Sequence, residues 1–329
     1  MREKILGLLS GKKIDEQSAF SGLIHVTAEG LEREGLIFHE IHKDAQKMAK
    51  AAASTFRLTG MPSATLPLDL CAPAEALGAE LNFYEGSEFQ FPQVRGALVE
   101  SIKEIRELEI RDWGRGRLPI ICEAIGLVKD DIGREVVISG MIPGPYTLLL
   151  YLCNPRNLFI EMKKEPHAVL DALFHLSSFL SQIGQAYRKA GADFITIHEM
   201  GGSPGFIGPA KFEQFVLPVL KALHEKLPAP RVLSVCGNTN KAMHLLAQAG
   251  ADAISVDQTN DLAASRAMLK NMLLFGNIDP VGTLWRGENA QVVEAVVSAK
   301  EAGVDAVWPG CDLVVQTPIE NIKLMTVSL

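Results

Sequence analysis

Two cysteines carry the first chemical signal. Cys236 lies in RVLSVCGN (Arg231–Asn238) and Cys311 in VWPGCDL (Val307–Leu313), each where a short apolar run stops and a glycine-containing turn begins. In a parallel α/β barrel that place is the C-terminal rim of a strand, where active sites of this architecture collect. Two thiolates on neighbouring strand ends can hold a Zn²⁺ and leave positions open for a substrate thiolate or other nucleophile. A free cysteine is more often a small buried hydrophobe, so placement alone leaves both readings standing. Cys71, Cys122 and Cys153 have no partner at ligand spacing and read as packing.

Other residues fall at the same kind of rim. Glu199 ends an apolar run and is followed by Gly201-Gly202, a poor place for a merely solvated carboxylate and a good one for an active-site group. Asp279 in NIDP stands two residues after Asn277, so the two can share a face; they position substrate or water, or Asp279 caps the loop before Pro280. Asp69 and Glu75 follow the first long apolar run and are candidates to touch an acceptor, as are Ser234 and Asn238 beside Cys236. His39 and His42 sit in the N-terminal helical region as structural or surface residues. His167, His224 and His244 read as helix-surface positions.

The elements that must hold these residues alternate along the chain. Residues 1–60 read as a helical extension, with Met1–Ser10 amphipathic and His39–Gly60 Ala-rich and stopped by Gly60. Strand-like runs follow at Ala64–Leu70, Val136–Ile142, Phe194–Ile197, Arg231–Val235, Ala253–Val256, Met272–Phe275 and Ala306–Trp308. Helical runs lie between most of them, at Ala168–Ala190, Ala210–Lys226, Lys241–Ala249, Asn260–Lys270 and Asn289–Ala302. AGADF, AGADA and AGVDA each close a helix with Ala-Gly and enter a strand, a recurrent helix-to-strand joint. This alternation implies a parallel sheet, and so many units imply one (β/α)8 TIM-type barrel spanning 1–329. Seven strands are legible and the eighth is not; residues 79–135 read as an insertion. GGSPG after Met200 has the wrong spacing for a dinucleotide-binding turn.

Composition narrows the partners. The chain has 329 residues, 47% hydrophobic and 22% charged, with a formal net charge of −7, enough for one large core and without a basic stripe for nucleic acid. Five irregularly spaced cysteines suit a reducing cytoplasm better than a disulfide frame. No signal peptide and no apolar run long enough to span a membrane are read.

Several stretches carry a family resemblance: HKDAQKMA (His42–Ala49), PAEALGAE (Pro73–Glu80), GPYTLL (Gly144–Leu149), FEQFVLPVLK (Phe212–Lys221), VCGN (Val235–Asn238), GNIDPVGTL (Gly276–Leu284), and PGCDL with TPIENI (within Pro309–Ile322). In these the chain resembles the uroporphyrinogen decarboxylase superfamily, and within it the methylcobalamin:coenzyme M methyltransferases, from about residue 20 onward. The resemblance implies a corrinoid-dependent methyltransferase. Its barrel exchanges a methyl group between a small acceptor or donor, such as the thiol coenzyme M, and a methylcobalamin-type corrinoid on a transient partner protein. No Asp-x-His-x-x-Gly motif for binding cobalamin occurs in the chain itself. The Arg-rich N-terminal segment that holds porphyrin carboxylates in the decarboxylases is missing from Ser21–Arg33, and several carboxylates need several fixed cations.

One departure matters more than the matches. The methyltransferases bind zinc through His-x-Cys on one strand and a distant Cys, whereas this chain reads Ser234-Val235-Cys236. A serine hydroxyl is a poor zinc ligand beside imidazole. Three outcomes are open. Zinc binds through Cys236, Cys311 and a substitute, either His198 or Glu199 on the preceding strand or Asp257 after the next; Ser234 contributes at most through water; or no metal binds. Adjacent side chains of a strand point to opposite faces, so an inward Glu199 implies an outward His198 unless the strand has already ended. The alternatives to a methyltransferase are a metal-independent decarboxylase of the same superfamily and a non-catalytic corrinoid-binding protein.

Overall fold

A computed structural model describes residues 1–14, 17–110 and 112–328; Asp15 and Glu16 of the N-terminal stretch and Arg111 of the 79–135 segment lie outside it. Eight parallel strands form the sheet: β1 Ser18–Ala19, β2 Ser63–Leu66, β3 Val137–Pro143, β4 Phe194–Glu199, β5 Arg231–Val235, β6 Ala253–Val256, β7 Leu273–Ile278 and β8 Ala306–Pro309. They pair in the order β1-β8-β7-β6-β5-β4-β3-β2. The two edges meet through side chains: Ser21 N donates to Ser63 Oγ at 2.9 Å, and a ring nitrogen of His25 lies 3.1 Å from Ser63 O. The result is the α/β TIM-type barrel that the alternation implies.

The strand the sequence does not reveal is β1, only two residues long. The expected Ala64–Leu70 run stops at Leu66 because Pro67 has no N–H to extend the ladder, which turns Leu68–Leu70 into a rim loop. The 79–135 segment holds a small antiparallel pair (Leu81–Asn82 with Gln93–Val94), a short helix Ile102–Ile105, and the helix Leu118–Asp131 that leads back to β3. Of the histidines expected on helix surfaces, His224 is instead buried, with Nδ1 2.8 Å from Leu220 O.

The three Ala-Gly joints share one device. Their glycines, Gly191, Gly250 and Gly303, have positive φ. The aspartate two residues later bonds the first turn of a neighbouring strand: Asp193 Oδ2 accepts from Ile138 N at 2.9 Å, Asp252 Oδ2 from Arg231 N at 2.8 Å, and Asp305 Oδ2 from Leu274 N at 2.8 Å. Each carboxylate also pairs with a cation, Arg2 and Lys129, Arg231, and Arg266 in turn. These bonds pin the N-terminal ends of alternate strands.

Inside the barrel, Phe20, Phe194, Phe275 and Trp308 fill the axis, all with no exposed surface. Trp308 lies 5.0 Å from Phe275 and 5.2 Å from Phe20, ring centroid to centroid. The interior is therefore a packed core, and chemistry is confined to the loops at the C-terminal ends of the strands. Among the described residues no helix is long and apolar enough to cross a membrane.

Candidate active site

His198 is the penultimate residue of β4, and its lateral partner across β4–β5 is Ser234. Its ring is fully buried and points toward the two thiols. Nε2 stands 3.1 Å from Cys236 Sγ, and Cys236 Sγ stands 3.6 Å from Cys311 Sγ. The donor atoms of His198, Cys236 and Cys311 all lie within 4.8 Å of one another, a spacing that one metal ion can bridge. The cysteines come from strands three apart in the sheet order, not from neighbouring ones, and meet across the barrel mouth. Gly310 permits this: a Cβ there would sit 2.6 Å from Gln258 N, so only glycine lets the loop after β8 approach the loop after β6.

The electrostatics of the cluster set the two thiols apart. The hydrogen bond from Cys236 holds the Cys311 thiol well below its usual range, against burial and with help from His198. The same contact, together with burial, pushes the Cys236 thiol up. Burial draws His198 down, but Asp312 and Cys311 outweigh it and raise the ring to about 9. Asp312, itself raised to about 6 by burial, accepts from Ile24 N at 2.7 Å and places Oδ2 3.8 Å from His198 Nδ1. Among the described residues that ring nitrogen has no hydrogen-bond partner, and the Asp312 carboxylate stands at ion-pair distance from it.

Glu199, the other candidate on β4, faces a different way. Its buried carboxylate accepts from Tyr146 N (3.1 Å), Thr147 N (3.0 Å), Thr147 Oγ1 (2.5 Å) and Gly202 N (2.9 Å). A Cβ at Gly144 would lie 2.1 Å from Glu199 Oε2, so a glycine there makes room for the carboxylate. Glu199 thus fastens the N-terminus of the helix Pro145–Leu152 to the loop after β4. Asp279 caps the turn it begins, accepting from Val281 N and Gly282 N. Asn277 donates to Asp257 O and Asn260 O, and Asn238 to Thr259 O, so both tie rim loops together. Asp257 accepts from Thr259 N and Oγ1 and stays outside the His–Cys cluster. Ser234 is buried beside His198.

Asp69 and Glu75 converge on a cation that the sequence does not single out, Arg117. Its guanidinium grips Asp69 with two bonds, 2.7 and 3.1 Å, and Glu75 with one of 2.7 Å. His42, buried here and not at the surface, completes the cluster with Nδ1 3.2 Å from Asp69 Oδ2. Burial opposes the charge on Asp69, but Arg117 and His42 hold its carboxyl well below the usual range. Nothing in GRGRLP, where Arg117 stands, distinguishes it from a loop arginine. A pocket of about 560 Å³ opens between Asp69 and Asp312, with Phe91, Leu150, Tyr151 and Met200 in its wall.

Comparison with known proteins agrees with this architecture. The family model for uroporphyrinogen decarboxylase (URO-D) matches residues 2–328. The methylcobamide:CoM methyltransferase MtbA of Methanosarcina acetivorans is 31% identical over 98% of this chain and 96% of its own length. MtaA of Methanosarcina barkeri, of the same description, is 28% identical over 100% of this chain and 97% of its own. A solved methyltransferase from Methanosarcina mazei superposes with a TM-score of 0.94 at 27% identity, covering 99% of this chain and 97% of that one. The chain belongs to the uroporphyrinogen decarboxylase family, and within it to the branch of the corrinoid-dependent methyltransferases.

Proposed function

We propose that this enzyme moves a methyl group between the cobalt of a corrinoid carried by a partner protein and a small molecule seated at the barrel mouth, with zinc held by His198, Cys236 and Cys311. The convergence of one imidazole and two thiols within 4.8 Å at the C-terminal rim carries this reading. The donor set suits zinc: one nitrogen, two sulfurs, and a carboxylate, Asp312, behind the imidazole. Zinc bound there supplies a Lewis acid that keeps a thiol deprotonated at neutral pH.

The chain's own residues do the rest. Asp312 fixes the ring of His198 so that Nε2, not Nδ1, faces the sulfurs. Glu199 and Gly310 hold the loops after β4 and β8 so that the three donors arrive together. The pocket beside Asp312 holds the small molecule in line with the incoming methyl group, and pre-alignment of this kind supplies much of a displacement's rate. Whether methyl passes to the small molecule or from it, the same alignment serves both directions.

The test pairs metal analysis with turnover. Wild-type protein is expected to bind about one zinc per chain and to demethylate methylcobalamin in the presence of a thiol. Cys236→Ala and Cys311→Ala are expected to abolish turnover and to lower zinc content while circular dichroism stays native. Wild-type turnover in either variant would refute the thiolate site.

A further inference from the structure

The pocket lies beside the His198–Cys236–Cys311 cluster: Asp312 lines it and stands 3.8 Å from His198 Nδ1. Its lining is apolar or neutral except for two carboxylates, Asp69 and Asp312; among the described residues no Lys, Arg or His lines it. Arg117 lies behind Asp69 with its guanidinium engaged by Asp69, Glu75 and the carbonyl of His42. It is buried, four of its five N–H donors are taken, and it is outside the lining of the pocket. Arg95, between the lining residues Val94 and Gly96, is itself outside the lining. An anionic tail entering this space would give up its water, meet no cation, and lie near Asp312; a buried charge without a partner is strongly disfavoured. A neutral tail gives up far less hydration than a charged one, and a cationic tail gains Asp312 with the aromatic side chains of Phe91 and Tyr151 nearby.

We infer that the small molecule exchanging methyl in this pocket has a neutral or positively charged tail, not a sulfonate or carboxylate. The inference rests on the methyltransferase reading, and it separates this chain from relatives whose names specify CoM, a thiol ending in a sulfonate.

Three thiols of nearly one size differ only in the tail: 2-mercaptoethanesulfonate, 2-mercaptoethanol and 2-mercaptoethylamine. Each is titrated calorimetrically into zinc-loaded full-length protein, and each is assayed for demethylation of free methylcobalamin. Turnover forms the C–S bond, breaks the Co–C bond with its electron pair left on cobalt, and releases the thiol proton to buffer. The amine and the alcohol are expected to bind at least about tenfold more tightly than the sulfonate. Met200→Lys places a cation in the wall and should shift the sulfonate-to-amine ratio by about tenfold toward the sulfonate. Gln93→Lys at the exposed lip should shift it the same way. Following one ratio across variants cancels the differing acidities of the thiols.

Sulfonate binding as tight as that of the amine in the wild type would overturn the inference. So would a ratio unmoved by both lysine variants, since the tail would then lie elsewhere. If the charge order holds but no thiol is methylated, the inference about the pocket stands and transfer to thiols falls.

Discussion

Replacing His198 by alanine should empty the metal site, and restoring a histidine one strand away should refill it. The register fixes the geometry: residues 198 and 234 are lateral partners on β4 and β5. Paired strands lie about 4.8 Å apart, so an imidazole at 234 enters the barrel mouth at the same level as the one it replaces. Losing a residue that merely orients a ligand lowers metal affinity about 10–100-fold. His198 is one of only three clustered donors, so its removal should exceed that range, at least about 100-fold, or about 2.8 kcal/mol. Zinc affinity is read by competition with a chromophoric chelator, and zinc content by elemental analysis at equal total zinc. His198→Ala should lose its metal, and Ser234→His in that background should return affinity to within about tenfold of wild type, the residual reflecting the missing Asp312 contact. His198→Ala with wild-type zinc affinity would refute the relocated ligand. The carboxylates weighed against it are already committed, Glu199 to the helix at Pro145 and Asp257 to Thr259.

The remaining predictions concern the groups around that cluster. Asp312→Asn should keep the fold and lower zinc affinity about 10–100-fold, because the amide orients His198 Nδ1 less well than a carboxylate; unchanged affinity would remove Asp312 from the site. Asp69→Ala leaves the buried Arg117 guanidinium only Glu75 and the His42 carbonyl as partners and should cost about 1–3 kcal/mol, roughly 2–4 °C in Tm by calorimetry. Because Arg117 holds the Asp69 carboxyl low, that stabilisation is complete above the ordinary carboxylate range and is lost only as pH falls well below it, so wild type and variant should converge in strong acid. Glu199→Ala leaves four buried donors without this acceptor and should lower Tm by several degrees and, by loosening the loop after β4, weaken zinc affinity in a chelator competition. In metal-free protein, iodoacetamide should modify the partly exposed Cys311 at least about tenfold faster than Cys71, whose thiol burial raises to about 12, and added zinc should protect Cys311.

What the sequence reveals and what it hides divide along physical lines. Helices with a 3.6-residue period and Ala-Gly exits are legible because both signals are local, and seven strands follow from them. The eighth is hidden because Ser18–Ala19 is too short to carry a pattern. Arg117 is hidden because its role exists only once the 79–135 segment folds back over the loop after β2 and delivers the guanidinium to Asp69 and Glu75. The capping role of Asp279 is readable from Asp-Pro at a strand end, whereas that of Glu199 is not, since its four donors lie mostly on another element.

The choice between His198 and Glu199 shows the deeper reason. Pleating dictates that only one of two adjacent strand residues can face the barrel mouth, but it does not say which. In a half-exposed antiparallel strand, hydrophobic alternation would reveal the parity. A strand of a parallel barrel is buried on both faces, and FITIHE is buried at all six positions, so the pattern carries no parity at all. Parity is decided at the strand's end, where Gly144 opens a space on one side that admits the Glu199 carboxylate, and the backbone amides of Tyr146 and Thr147 wait there to receive it. With Glu199 so placed, His198 must turn toward the thiols, at the level its partner Ser234 shares on the next strand. The position of the imidazole therefore follows from a glycine more than fifty residues away, through a contact that only the assembled barrel makes.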